Sequence, residues 1–133
     1  MDLRILEIAS NTENNRILDK HTHKSKNKNP MCGDEMEISL LIKDDKVIDM
    51  GYQCKSCVYC QASVSLLSQN IKNKSLDEIK DLINICEHIF ENTKITLEKK
   101  WISFKELFSK KNMSRKECLL LPMRTVLKAL KLQ

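Results

Sequence analysis

Three cysteines crowd into one short stretch of the chain, Gln53 to Ser65, which reads QCKSCVYCQASVS. Cys54, Cys57 and Cys60 stand three residues apart, at the junction between a strand-like run and a helix-like run. A buried cysteine that only packs behaves as a small hydrophobe and has no need of two similar neighbours. Thiolates are soft ligands that favour zinc, copper(I) and iron–sulfur clusters. We therefore hypothesise that one or more of these thiols binds metal or carries sulfur, and that the rest of the chain supplies the remaining ligands.

The length of the chain predicts a single domain, residues 1–133, which is large enough to bury a core. No apolar run has the length of a membrane-spanning helix, and the opening MDLRILEIAS lacks the pattern of a signal peptide. We therefore expect a cytoplasmic protein that does not contact membranes. In that compartment the six cysteines indicate metal or redox chemistry rather than a disulfide framework.

The net charge of +5 is spread along the chain and is accompanied by few aromatic residues, so we expect no nucleic-acid binding. The one dense basic stretch is Asp19 to Asn29, DKHTHKSKNKN. We predict a solvated loop there, with a docking patch for an acidic partner protein as the alternative. The H-x-H pair His21 and His23 within it is only a weak metal signal, because metal ligands need fixed supporting groups.

Alternating apolar residues predict an antiparallel hairpin of Glu35 to Lys43 and Lys46 to Tyr52, joined by the turn Asp44-Asp45. We place Val47 and Met50 on opposite faces of the second strand. Helical periodicity is predicted over roughly residues 2–18, 61–71, 75–90, 101–108 and 121–132, the last helix with Pro122 in its first turn. The fold class is therefore α+β, with about five helices packed on a small antiparallel sheet made of this hairpin and a third strand.

An antiparallel hairpin brings the residue before its first strand close to the residue after its second strand. Cys32, Gly33 and Asp34 precede its first strand, and Cys57 follows its second strand, near a helix N-terminus where backbone dipoles favour a thiolate. Glycine lets the backbone turn sharply enough for its two neighbours to face one ion. Cys118, directly before the final helix, completes the candidate set. Three thiolates and one carboxylate suit zinc or an iron–sulfur unit, and the carboxylate makes the site labile.

Three segments, NPMCGDEMEISLLI, YQCKSCVYCQASVSLL and RKECLLLPMRTVLKAL, resemble the motif blocks of the NifU/IscU-type iron–sulfur cluster assembly scaffold family. The blocks cover roughly residues 29–72 and 114–130. The resemblance implies an α+β domain with a metal site at one end, and a scaffold rather than an enzyme. It also implies that Cys32, Asp34, Cys57 and Cys118 hold zinc or a transient [2Fe–2S] or [4Fe–4S] cluster.

The second block departs from the family's usual Gly-x-Gly-Cys, because Cys54 and Ser56 replace the glycines and Cys60 follows. Cys54 and Cys60 are therefore either additional ligands or sulfur carriers, or incidental thiols. The long segment between Cys57 and Cys118 resembles the zinc-binding Suf-type branch, in which zinc is associated with accepting sulfur from a cysteine desulfurase. Arg115 matches an arginine of that branch, and we expect it either to orient Asp34 or to cap a surface.

The implied partners are a cysteine desulfurase and recipient apo-iron–sulfur proteins, with the chain itself a monomer or a weak homodimer. Cys32 and Cys118 are the candidate sulfur acceptors. The alternatives are a zinc-dependent sulfur-transfer partner without scaffold activity, an electron-transfer iron–sulfur protein, a nucleic-acid-binding zinc module and a protein with purely structural zinc. The C-x-x-C-x-x-C run suits the electron-transfer alternative, although the expected fourth cysteine and proline do not follow it.

Overall fold

A three-stranded antiparallel sheet packed against helices forms the fold, which confirms the predicted α+β class. A computed structural model describes residues 3–30, 33–92 and 94–131 of the chain. Its elements are α1 (Leu3–Ala9), β1 (His23–Lys28), β2 (Glu35–Lys43), β3 (Lys46–Lys55), α2 (Val58–Asn70), α3 (Leu76–His88), the 3₁₀ helices η1 (Lys99–Phe104) and η2 (Lys110–Arg115), and α4 (Lys116–Lys131). Helix α4 packs against β1, β2, α2 and α3, and α2 also packs against α1.

The β2–β3 hairpin forms as predicted, with a two-residue turn. Asp44 and Asp45 both have positive φ, 52° and 60°, which is the backbone geometry of the mirror-image turns that suit the twist of hairpins. A register shift lies where Leu41 pairs with Asp49 while Ile42 pairs with Val47, so Ile48 is left over as a bulge. The bulge corrects our assignment of faces: Val47 and Met50 are both fully buried on the core side of β3.

The basic stretch is not a loop, because His23–Lys28 is the edge strand β1 and pairs antiparallel with β2. Lys24 lies 2.9 Å from Glu37 and Lys28 lies 3.4 Å from Glu35, so its lysines form ion pairs on the outer face of the sheet. On the inner face the Ser25 hydroxyl donates to the Thr125 carbonyl of α4 at 2.7 Å. The strand was missed because it contains no apolar residue, and our strand prediction rests on apolar alternation.

Two predicted helix boundaries are wrong. Helix α1 ends at Ala9, and the following residues run along the free edge of β3, where the Tyr52 N–H donates to the Asn14 carbonyl at 3.1 Å. Helix α4 begins at Lys116, so Pro122 lies in its second turn rather than its first. The capping box at the start of α3 is as predicted: Ser75 accepts from the Glu78 N–H, and the Glu78 carboxylate accepts from the Ser75 N–H.

Gly51 marks a close approach between β3 and the N-terminal segment. A Cβ atom there would collide with the backbone carbonyl of Arg16 and would also press on Leu18 and Ser39. We expect Gly51→Ala to lower the free energy of unfolding by about 1–3 kcal/mol, because backbone atoms must move to admit the methyl group. Chemical denaturation measures this effect. Gln53→Ala, at an exposed position of the same strand, is the control, and a loss for Gly51→Ala no larger than the control's would contradict the close packing.

Candidate metal centre

Three side chains from distant parts of the sequence meet at one end of the sheet. One potential ligand atom each of Asp34, Cys57 and Cys118 lies within 4.8 Å of the other two. Asp34 precedes β2, Cys57 follows β3, and Cys118 lies in the first turn of α4 rather than directly before that helix as predicted. Sulfur ligands around zinc stand about 3.8 Å apart in a tetrahedral site, so closing this group around an ion needs movements of about 1 Å.

Two helix N-termini point at this group. Cys57 is the N-cap residue of α2, and Cys118 is the third residue of α4. The N-terminus of a helix carries a partial positive charge and unpaired N–H groups, both of which stabilise anionic side chains. Both thiols therefore lie at a helix N-terminus, a position that the sequence predicted for Cys57 alone.

The Asp34 carboxylate is buried and only half satisfied. Its Oδ1 atom accepts the backbone N–H of Cys57 at 3.1 Å, which ties the start of β2 to the start of α2. Its Oδ2 atom is buried and has no hydrogen-bond partner among the described residues, and the residue is only 5% exposed. A buried carboxylate oxygen without a partner is costly, because it has lost its water. A cation shared with the two thiols would satisfy this oxygen, so the donor set fits zinc or iron.

Cys32, the remaining predicted ligand, lies outside the described residues. Among the described residues on either side of it, the Asn29 N–H donates to the Asp34 carbonyl and the Gly33 N–H donates to the Asn29 carbonyl, both at 2.8 Å. Gly33 has a φ of +75°, a conformation that glycine adopts without strain and that other residues avoid. The sharp turn expected beside Asp34 is therefore present, while the role of Cys32 stays a prediction.

The other thiols are not part of the three-residue group, among the residues that the structure describes. Cys60 is fully buried in the core at the start of α2, and burial raises the pKa of its thiol. Cys54 is half-buried near the end of β3, and burial raises the pKa of its thiol, while a hydrogen bond with the Ser56 hydroxyl lowers it and the negative charge of Asp34 raises it by a smaller amount. Cys86 is a core residue of α3 whose burial raises its pKa to about 12, as expected for a packing cysteine.

Arg115 contacts an aromatic ring beside the group. Its guanidinium carbon lies 5.0 Å from the ring centre of Tyr59, a cation–π contact that joins the end of η2 to the first turn of α2. Within the described part of the chain, no hydrogen bond or ion pair between Arg115 and Asp34 is found. Sequence reasoning did not identify the contact between Tyr59 and Arg115. The position of Tyr59 two residues after Cys57 indicated that it lies near the candidate ligands, but a single tyrosine does not indicate which residue it contacts.

Most of the chain matches a known protein family. The family described as the NifU-like N terminal domain matches residues 2–102, a span that includes Asp34 and Cys57 but ends before Cys118. No helix in the described ranges is both long and apolar enough to cross a membrane.

Sequence relatives are named as iron–sulfur cluster assembly scaffolds. The scaffold protein IscU of Thermotoga maritima is 35% identical over 83 residues, which is 62% of this chain and 58% of that protein. The IscU of Escherichia coli K12 is 36% identical over 56 residues, which is 41% of this chain and 44% of that protein. The matched segment thus spans about half the length of these curated relatives.

Solved structures share the whole fold. A NifU-like protein (N-terminal) from Brucella abortus superposes with a TM-score of 0.89 at 22% identity, covering 98% of this chain and 91% of that chain. A putative iron–sulfur cluster assembly scaffold for the SUF system from Fervidobacterium islandicum superposes with a TM-score of 0.87 at 22% identity, covering 98% and 96%. At this identity the likeness establishes the fold alone.

Proposed function

Because this chain belongs to the NifU-like N terminal domain family, we propose that it is a scaffold on which iron–sulfur clusters are assembled and then passed to apo-proteins. The observation that carries the proposal is the meeting of Asp34, Cys57 and Cys118, which the fold gathers from three separate segments. We also propose that residues 1–133 form one domain and act in the cytoplasm. In this proposal the chain is an assembly scaffold and not an enzyme.

The proposed cluster site consists of Cys32, Asp34, Cys57 and Cys118. In this role the cluster is cargo, so it must be held and later released. Thiolates bind iron firmly, whereas a carboxylate oxygen is a harder and weaker partner for it. Asp34 therefore supplies the position from which the cluster is most easily detached.

Sulfur is proposed to come from a cysteine desulfurase that carries a persulfide. A scaffold thiolate attacks the terminal sulfur of that persulfide, a new sulfur–sulfur bond forms, and the desulfurase cysteine leaves as its own thiolate. Cys32 and Cys118 are the candidate acceptors. Cys118 is only 6% exposed, so it must become more accessible before it can react.

Zinc is the alternative occupant of the same four residues, as the resemblance to the Suf-type branch implies. Bound there, it would keep the thiols deprotonated and ready for sulfur transfer. A zinc-dependent sulfur-transfer partner of a desulfurase, without scaffold activity, is therefore the second candidate function.

The positions of Cys54, Cys57 and Cys60 do not favour an electron-transfer protein of the ferredoxin type. Cys54 lies on β3, Cys57 caps α2, and Cys60 is enclosed in the core. Ferredoxin-type runs need their successive cysteines to surround one cluster. Here only Cys57 of the three joins the candidate group in the described part of the chain.

The scaffold proposal is tested by assembling and transferring a cluster. The protein is incubated without oxygen with ferrous iron, cysteine, a cysteine desulfurase and a reductant, and is then mixed with an apo-ferredoxin. We expect visible cluster absorbance on the scaffold, followed by its transfer to the ferredoxin. Absence of a cluster on a folded, zinc-free protein would contradict scaffold activity. A cluster that is reversibly reduced but never transferred would favour electron transfer instead.

Asp34→Ala is expected to slow release of the cluster, because the substitution takes away the weakly bound oxygen ligand and leaves iron held by sulfur alone. The decay of cluster absorbance and the rate of transfer to apo-ferredoxin measure this. Asp81→Ala, at an exposed acidic position of α3, is the matched control. If the Asp34→Ala cluster decays as fast as that of the parent, Asp34 does not set the lability of the site.

A further inference from the structure

Cys54 lies beside the candidate metal centre on the same face of the sheet. It pairs with Met36 across the β2–β3 ladder, and Asp34 lies two residues before Met36. Because Met36 and Cys54 are cross-strand partners, their side chains face the same side of the sheet, where Met36 is buried at 2% exposure. Asp34 lies just before β2, two residues from the cross-strand partner of Cys54, and is buried at 5% exposure, so the two residues are near neighbours.

The neighbourhood of Cys54 contains an unsatisfied polar atom that points to a ligand. Asp34 Oδ2 is buried without a hydrogen-bond partner among the described residues. Ser56 lies between Cys54 and Cys57 on the short connection from β3 to α2, and its buried hydroxyl has thiols, those of Cys54 and Cys60, as its neighbours. A buried carboxylate oxygen calls for a cation, and anionic sulfur ligands would complete the shell of that cation.

Of the two extra thiols, Cys54 is the one that is free to move toward an ion. It is half-buried near the end of an edge strand, between the exposed residues Gln53 and Lys55. Cys60 is fully buried inside the core on the first turn of α2, where close packing fixes its side chain. A side-chain rotation moves a cysteine sulfur by a few ångströms, and the half-buried position of Cys54 leaves room for such a rotation.

We propose that Cys54 is an alternative fourth ligand to an ion held by Asp34, Cys57 and Cys118. This inference rests on the proposed function, in which Cys32 is the other candidate for that position. Cys54, its proton passed to water, would hold the ion in place of another thiolate, and the thiolate set free would be able to accept sulfur while the ion stays bound. Thiolates on the ion are exchanged one for one, and no electron is transferred. The site then retains its metal through the step that uses one of its thiols.

The test counts thiolates on a bound ion in the full chain. The parent, Cys32→Ser, Cys54→Ser and Cys32→Ser/Cys54→Ser are loaded with cobalt(II), whose sulfur-to-metal absorbance scales with the number of thiolates, and in parallel with zinc. We expect Cys32→Ser to keep the parent's thiolate absorbance. The double variant is expected to lose about a third of it and to release zinc to a chelator about tenfold faster, in line with the loss of one supporting group.

Cys32→Ser/Cys86→Ala is the matched control, because it removes a second thiol that lies in the core of α3. It should behave like Cys32→Ser alone. Equal absorbance and equal release for Cys32→Ser and the Cys32→Ser/Cys54→Ser variant would overturn the role of Cys54. That result would leave the proposed function intact, provided that the parent shows thiolate absorbance that Cys57→Ser reduces. A folded parent that binds cobalt without any thiolate absorbance would overturn both.

Discussion

Cys118→Ser is expected to weaken zinc binding by at least about 100-fold, the upper end of the range for losing a supporting group around a metal. Cys118 is the one member of the described three-residue group that α4 contributes, so its loss detaches that helix from the ion. Cys54 does not replace it, because Cys54 reaches the group from the sheet side. Serine is well tolerated in the first turn of a helix, so the variant should fold. Competition with a chromophoric chelator measures the affinity.

Cys86→Ala serves as the control for Cys118→Ser. It also removes a buried thiol, but from the core of α3. We expect this control to bind zinc as tightly as the parent does, with some loss of stability. If Cys118→Ser and Cys86→Ala bind zinc with equal affinity, Cys118 is not a ligand.

Trp101→Ala is expected to lower the free energy of unfolding by about 3–5 kcal/mol and the Tm by about 10 °C or more. Trp101 is fully buried on η1, and its ring meets Phe104 edge-on with 6.1 Å between ring centres. The amines of Lys74 and Lys100 lie 5.9 and 5.8 Å from the ring centre, so the indole also anchors two surface chains. Truncation leaves a cavity that the close-packed neighbours fill only in part.

Ile102→Ala is the matched control for the tryptophan, because Ile102 is the next residue and is 54% exposed. Its truncation removes an apolar side chain of the same 3₁₀ helix with little lost burial, and we expect the Tm to change by no more than about 2 °C. Thermal unfolding followed by circular dichroism compares the two variants in the same buffer. Equal losses for both would show that Trp101 does not anchor the core.

The candidate ligands Asp34 and Cys57 were accessible to sequence reasoning because the signals that place them are local. A hairpin with a two-residue turn must bring the residues before its first strand close to those after its second, so Asp34 and Cys57 had to approach each other. The helix-like run after the cysteines placed Cys57 at a helix N-terminus, where the structure has it as the N-cap. Cys118 was included as the thiol directly before the final helix, and the resemblance supported it, but no local pattern relates it to residues that precede it by about half the chain.

What the sequence did not reveal depends on contacts between distant residues. Strand β1 has a polar inner face because Ser25 bonds to a carbonyl of α4 instead of packing in the core, so its hydrophobic signal is absent. The bulge at Ile48 changes which side chains of β3 face the core, and no residue type in the sequence indicates a bulge at that position. The early start of α4 misled us because proline is common at the first position of a helix, whereas Pro122 lies in the second turn.

X-ray absorption spectroscopy of the zinc-loaded protein tests the proposed metal site most directly, because it reports the kind and number of atoms around the ion. We expect one ion per chain with three sulfur ligands at about 2.3 Å and one oxygen at about 2.0 Å. A shell made only of oxygen and nitrogen, or one with a single sulfur, would contradict the gathering of these cysteines and Asp34 around one ion.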